Sequence, residues 1–218
     1  MDEQFWHGRW QNLEIGFHLS EVNPMLVRHF DALKLKKSAR LFVPLCGKSE
    51  DIGWFLKNGY EVAGAELSET AITQLFDELG IEPIIEHTGQ LKIYKAESLV
   101  IYVGNIFDLS AQILGSIDAI YDRAALVALP QPLRNQYTAH LRALSLNAPQ
   151  LLICFEYEQP AMEGPPFNVD ANEVKSQYET AYHVHLLERN AVEGGLRGTI
   201  PAHEAVWLLK PIALGVEK

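Results

Sequence analysis

The sequence predicts an α/β fold built on a mostly parallel, twisted sheet with helices on both faces. Three observations carry that prediction. Short apolar runs at Leu41–Leu45, Leu99–Val103, Ile117–Tyr121 and Leu151–Tyr157 have the length and composition of buried strands. Segments with helical spacing alternate with them, the order that a parallel sheet requires. The stretch Arg40–Leu67 reads as strand, tight glycine turn, helix, strand, with an acid, Glu66, at the end of the second strand.

Residues 1–23 form an aromatic-rich arm (Phe5, Trp6, Trp10, Phe17, His18) with little periodicity, which reads as a lid rather than as core filler. A helix is expected over Pro24–Leu35, with Asn23 as its cap and Pro24 at the first position. After the Leu41–Leu45 strand, Cys46-Gly47-Lys48-Ser49 makes the turn. Glu50–Asn58 places Ile52, Phe55 and Leu56 on one helical face, and Asn58-Gly59 ends it. Tyr60–Ala65 is the second strand. Ser68 caps a further helix that runs to Leu79 and stops at Gly80. Leu91–Tyr94 and Leu99–Val103 read as a hairpin, the second strand running into Gly104-Asn105-Ile106. Ile117–Tyr121 leads into Asp122-Arg123. Pro132–Leu146 is helical in pattern, Leu151–Tyr157 is a strand, and Glu158–Phe167 is a proline-rich loop. Asp170 caps a helix through Ala181, and His183–Leu187 and Ala205–Leu209 are strands joined by a turn around Gly194, Gly195 and Gly198. With no repeat, low-complexity stretch or linker, residues 1–218 are expected to form one domain, an arm and helix over 1–35 and a core over 38–218.

The first strand–turn–helix–strand unit points to chemistry. In a doubly wound sheet, ligands bind beyond the carboxyl ends of the strands, and a carboxylate about 20 residues after the first turn accepts from both ribose hydroxyls. Gly47 and Glu66 have that spacing. The turn is neither GxGxxG nor GxxxxGK[ST], so a ligand with a ribose and no pyrophosphate fits better than NAD or ATP. S-adenosylmethionine is such a ligand. Lys48 is expected to be a solvated charge. Asn105-Ile106 could close over a flat base, with Ile106 on the ring and Asn105 on its edge. Arg123 at a strand's carboxyl end could hold a carboxylate in a bidentate grip, or pair structurally with Asp122.

The net charge of −10 argues against a nucleic-acid surface. No run of 18 apolar residues predicts a membrane span, and the polar start MDEQFWHGRW lacks a signal peptide's apolar core, so a cytoplasmic location is expected. The eight histidines show no HxxH or HExxH spacing and the two cysteines, Cys46 and Cys154, stand apart, so no metal site is expected. There is no GxSxG elbow.

WHGRW (6–10), GFH (16–18), FVPLCGKSEDIGWFLKNGYEVAGAELSE (42–69), IFDL (106–109), IYDRAALVALP (120–130) and GPPF (164–167) resemble the thiopurine S-methyltransferase family in order along nearly the whole chain, in its shorter bacterial form. The resemblance implies a Rossmann-like class I methyltransferase with S-adenosyl-L-methionine as cofactor and a small thiol as acceptor. It implies Trp10, Leu45, Glu66 and Arg123 as cofactor contacts, Asn105 and Ile106 beside the adenine, and Phe17 and Arg197 on the acceptor side. It supplies no general base. Two departures stand out: the family's WDRGALVA block reads YDRAALVA here, with Ala124 in place of glycine, and position 105 is Asn rather than Ser. Nothing in the sequence demands more than a monomer. The rival readings are a nicotinamide oxidoreductase, disfavoured by the missing GxGxxG, a cofactor sensor without turnover, and a nucleic-acid methyltransferase, disfavoured by the acidic charge and by a GPPF that only superficially resembles [DN]PP[YFW].

Overall fold

The computed structural model describes residues 3–158 and 161–213. The chain divides into two compact units, Met1–Tyr121 and Asp122–Lys218.

The first unit starts with helix α1 (Glu3–Gln11) and helix α2 (Pro24–His29). Asn23 caps α2, its side chain accepting from the amides of Met25 and Leu26. The helix expected to reach Leu35 changes at Phe30 into a 3-10 turn, Phe30–Leu33, which Lys34 ends with φ +53°. Then come β1 (Arg40–Pro44), α3 (Glu50–Lys57), β2 (Glu61–Glu66), α4 (Glu69–Leu79), β3 (Ile84–Thr88), β4 (Leu91–Lys95), β5 (Leu99–Val103), α5 (Ala111–Leu114) and β6 (Ala119–Arg123), the last running on into the second unit. Strands β5, β2, β1 and β6 pair in parallel, with Phe42 opposite both Ala63 and Ile120. The expected β4–β5 hairpin forms, with Lys92 opposite Val103. Strand β3, absent from the expected elements, adds antiparallel to β4. Its Ile84 and Ile85 are exposed, so it lacks the half-buried alternation that marks a strand. Leu41, Phe42, Val43, Ile52, Phe55, Val62, Ala63, Ile72 and Ile101 are buried between sheet and helices.

The second unit contains α6 (Gln131–Ser145), β7 (Gln150–Tyr157), α7 (Ala171–Tyr178), β8 (Tyr182–Ala191) and β9 (Ala202–Pro211). Strand β9 pairs antiparallel with both β7 and β8. Asp170 caps α7 as expected, but the helix ends at Tyr178 rather than Ala181. Strands β8 and β9 are each ten residues long, twice the expected length, because their outer halves carry polar side chains that conceal the pairing. The first unit's strands are therefore mixed, parallel at β5, β2, β1 and β6 with β4 and β3 added antiparallel, and those of the second unit pair antiparallel.

The aromatic arm is not an irregular segment. Its first half is the helix α1, whose apolar residues form no stripe that periodicity could detect.

Candidate active site

The parallel strands of the first unit end at three turns. After β1, Leu45 has φ +45° and Gly47 φ +52°, so the chain leaves the sheet abruptly while the Cys46 amide still donates to the Ala65 carbonyl at 3.0 Å. Ser49 then caps α3 by accepting from the Asp51 amide. Asp51 is buried, and its carboxylate accepts from the Asn23 amide at 2.8 Å and the Tyr121 hydroxyl at 2.9 Å. Sequence reasoning did not single out this link. Only the acid's place in the first turn of a helix hinted at it.

Glu66 ends β2 and is 6% exposed. Its Oε2 accepts from the Gly47 amide and its Oε1 from the Ser68 amide, both at 2.8 Å. One carboxylate thus ties the turn after β1 to the turn after β2. Burial pushes its pKa up, opposed by the backbone bonds from Ser68, Gly47 and Leu67. An ionised carboxylate has about four acceptor positions. The amides of Gly47, Ser68 and Leu67 take about three of these and leave one open to a ribose hydroxyl. The residues present fit an adenosyl ribose.

After β5, Gly104 has φ +141° and its amide donates to the Glu66 carbonyl at 2.9 Å. A Cβ there would come within 2.8 Å of Leu91 Cδ2. Asn105 follows as the cap of a short 3-10 turn, its Oδ1 accepting from the Phe107 amide and its Nδ2 donating to Glu3 Oε1 at 2.8 Å. Ile106 is buried.

Helix α1 crosses these strand ends. At one end Glu3 meets Asn105. At the other, the Trp10 indole lies over Gly47, so close that a Cβ there would sit 3.0 Å from Trp10 Cζ2. Seven residues of helix rise about 10 Å, close to two strand spacings of about 4.8 Å each, so one short helix reaches from the turn after β1 to the turn after β5 with β2 between. Trp10 is 3% exposed and meets Phe17 edge-on at 5.6 Å, and Phe17 also meets Trp6 at 5.9 Å.

The structure therefore brings Trp10, Leu45, Glu66, Asn105, Ile106 and Phe17 together at one end of the first unit. No pattern in the chain announces that Glu3 reaches Asn105. Lys48 departs from expectation: its ammonium pairs with Glu78 and its side chain is only 13% exposed, so it is not a solvated charge.

Arg123 and Arg197 belong to the second unit. Arg123 is the last residue of β6 and half-buried. The preceding Asp122 is fully buried, its Oδ1 accepting from the Leu126 amide at 3.1 Å and its Oδ2 from the Tyr137 hydroxyl at 2.7 Å. Burial raises its pKa to about 6. Ala124, where the family pattern has glycine, has φ +59°, which explains the family's preference. Arg197 also has positive φ, and its Nη2 donates to the Pro165 carbonyl at 3.1 Å. That loop is fixed further by Tyr157, whose hydroxyl donates to the Pro166 carbonyl at 2.8 Å. Of the expected loop Glu158–Phe167, Pro160 lies outside the described residues.

These features meet clear relatives. The thiopurine S-methyltransferase (TPMT) family matches residues 1–207. The chain belongs to the thiopurine S-methyltransferase family. A thiopurine S-methyltransferase of Teredinibacter turnerae is 51% identical over 209 residues, covering 96% of this chain and 97% of that one. Another, of Xanthobacter autotrophicus, is 49% identical over 211 residues, covering 96% and 99%. Among solved structures, the Burkholderia thailandensis 1,6-didemethyltoxoflavin-N1-methyltransferase with bound S-adenosylhomocysteine is 14% identical with a TM-score of 0.65, covering 95% of this chain and 87% of that one. A TehB-like methyltransferase of Corynebacterium glutamicum has a TM-score of 0.55 at 16% identity, covering 96% and 98%. These two show the fold, a Rossmann-like α/β architecture. The family is one of S-adenosylmethionine-dependent methyltransferases, so the expected fold, reaction class and cofactor hold.

Proposed function

We propose that this protein transfers the methyl group of S-adenosylmethionine to the sulfur of an aromatic or heterocyclic thiol, thiopurines among them, with selenium and tellurium species as further soft acceptors. The observation that carries the cofactor half is the Glu66 carboxylate, buried at the end of β2 and held by the amides of Gly47, Ser68 and Leu67 with an acceptor position left for a ribose hydroxyl. In this reading Glu66 takes the ribose, Trp10 and Leu45 border the methionine portion, Ile106 packs on the adenine with Asn105 beside it, and Arg123 holds the carboxylate. Phe17 and Arg197 border the acceptor.

When bound, the cofactor supplies an electrophilic methyl group and an excellent leaving group. The chain's own task is to orient the two reactants and exclude water. Glu66 fixes the ribose, and the aromatic cluster of Trp6, Trp10 and Phe17 is an apolar wall suited to a flat heterocycle. No residue is assigned as general base, because a thiol of low pKa arrives already ionised. We further propose that the chain acts as one domain and as a monomer in the cytoplasm, without nucleic acid. The net charge of −10 supports the last point. Among the described residues, no helix is long and apolar enough to cross a membrane.

A methyl-transfer assay with labelled S-adenosylmethionine and 6-mercaptopurine, run beside calorimetric titration of S-adenosylhomocysteine, tests this. Turnover with product binding supports the proposal. Binding without turnover on any thiol would assign the site to a different acceptor or to a sensor. No binding would overturn it.

A further inference from the structure

Asp122 and Tyr137 form a buried pair that the reaction chemistry does not require. Asp122 is 0% exposed and Tyr137, on α6, is 0% exposed. Asp122 Oδ2 accepts the Tyr137 hydroxyl at 2.7 Å, and its Oδ1 accepts the amide of Leu126, four residues on, at 3.1 Å. The carboxylate thus closes a turn from the last residues of β6 to the 3-10 turn Leu126–Ala128, and α6 holds that carboxylate in place. Within the closed turn lie Arg123 and Ala124, the latter with φ +59°. A non-glycine residue in this conformation persists only where its surroundings over-determine it. Packing alone does not call for a carboxylate here, since a buried charge costs free energy that an apolar side chain of similar volume would not. What the arrangement fixes is the backbone that carries Arg123. Successive side chains of a strand point to opposite faces, so anchoring Asp122 on one face sets the direction in which Arg123 leaves the other.

We infer that Asp122 and Tyr137 are positioning residues for the Arg123 grip on the cofactor carboxylate, with Tyr137 anchoring from α6 the turn that aims the guanidinium. The inference rests on the proposed role of Arg123. The test is a set of three variants, Arg123→Ala, Tyr137→Phe and Asp122→Asn, each titrated with S-adenosylhomocysteine and assayed for methyl transfer. Tyr137→Phe removes one hydroxyl and keeps the ring. It is expected to weaken S-adenosylhomocysteine binding and raise the cofactor KM about tenfold, the equivalent of 1.4 kcal/mol, while kcat at saturating cofactor and the thiol KM stay within about twofold. A purely structural role would lower the melting temperature without that split. If Arg123→Ala weakens binding and Tyr137→Phe does not, the positioning role is overturned and the Arg123 assignment stands. If Arg123→Ala leaves binding unchanged, the assignment itself falls and the inference with it. Should Tyr137→Phe fail to fold, Asp122→Asn, which keeps size and one acceptor oxygen, is read by the same split.

Discussion

Glu66 and Asp122 are both buried carboxylates at the carboxyl ends of parallel strands, yet they are satisfied in different ways. Glu66 is bonded by backbone amides from the turn after β1 (Gly47) and the turn after β2 (Leu67 and Ser68). Asp122 is bonded by the amides of Leu126 and Ala125 and by the hydroxyl of Tyr137, 15 residues away. The first is a local device, complete once β1, β2 and their turns form, with a lone pair left for a ligand. The second is a tertiary device, complete only when α6 packs, and it serves the backbone around it. A carboxylate at a strand end therefore does not declare its role by position alone. The origin of its donors does.

The largest effect should come from removing the local device. Glu66→Ala is expected to weaken S-adenosylhomocysteine binding on the order of 100-fold, since bonds to a charged acceptor are worth about 1.5–3 kcal/mol, with the thiol KM little changed. Calorimetry and initial-rate kinetics check both. Unchanged cofactor affinity would show that the two carboxylates are alike and both structural.

The tertiary device should show itself through pH. Burial lifts the Asp122 carboxyl from 3.8 to about 6, so the folded chain holds a proton between those values that the unfolded chain releases. Its contribution to stability therefore rises as pH falls from about 7 towards 4, by on the order of 2–3 kcal/mol. Glu69 works in the opposite sense: bonds from Lys92 and Tyr94 lower its pKa, and its contribution is lost as pH falls through that value. Asp122→Asn is expected to remove the acid-side gain, which urea melts of variant and parent at about pH 7.5 and 5 would detect. Equal pH responses would mean that Asp122 does not titrate in this range.

Gly47→Ala sharpens the comparison at the first turn. Its Cβ would press on Trp10 at 3.0 Å in a backbone conformation of φ +52°. A loss of about 1–2 kcal/mol in thermal stability is expected, accompanied by a change in tryptophan fluorescence. The smallest effect is at Ala124. Restoring the family's glycine, Ala124→Gly, relieves the positive φ and should be neutral or stabilising by about 0.5–1 kcal/mol, read as a rise in melting temperature.

The contrast between local and tertiary devices also explains what could be read in advance. The β1–α3–β2 unit and Glu66 were legible because every cue lies within 28 residues: an apolar strand, a glycine turn, a helical stripe and a glycine stop. Asn23, Ser68, Asp170 and Gly80 declared helix ends for the same reason. Strand β3 was missed because Ile84 and Ile85 face solvent at a sheet edge, and the outer halves of β8 and β9 were missed because they are polar. Helix α1 is hidden in the aromatic arm because it is held by Trp10 on Gly47 and Glu3 on Asn105, contacts that periodicity cannot announce. The Asp51–Tyr121 and Asp122–Tyr137 bonds were invisible for the simpler reason that no spacing rule links a strand or helix acid to a hydroxyl so far along the chain.

Cys46 lies inside the glycine turn, one residue before Gly47. It is 6% exposed, packed so tightly on β2 that a Cβ on Gly64 would stand 2.9 Å from its sulfur. Burial and the negative charge of Glu66 push its thiol well above the ordinary value. The thiolate is the nucleophile and the neutral thiol is not. In a family that methylates sulfur, the thiol built into this turn is thus kept protonated and walled in, a poor nucleophile, by burial and by the same carboxylate that shapes the turn.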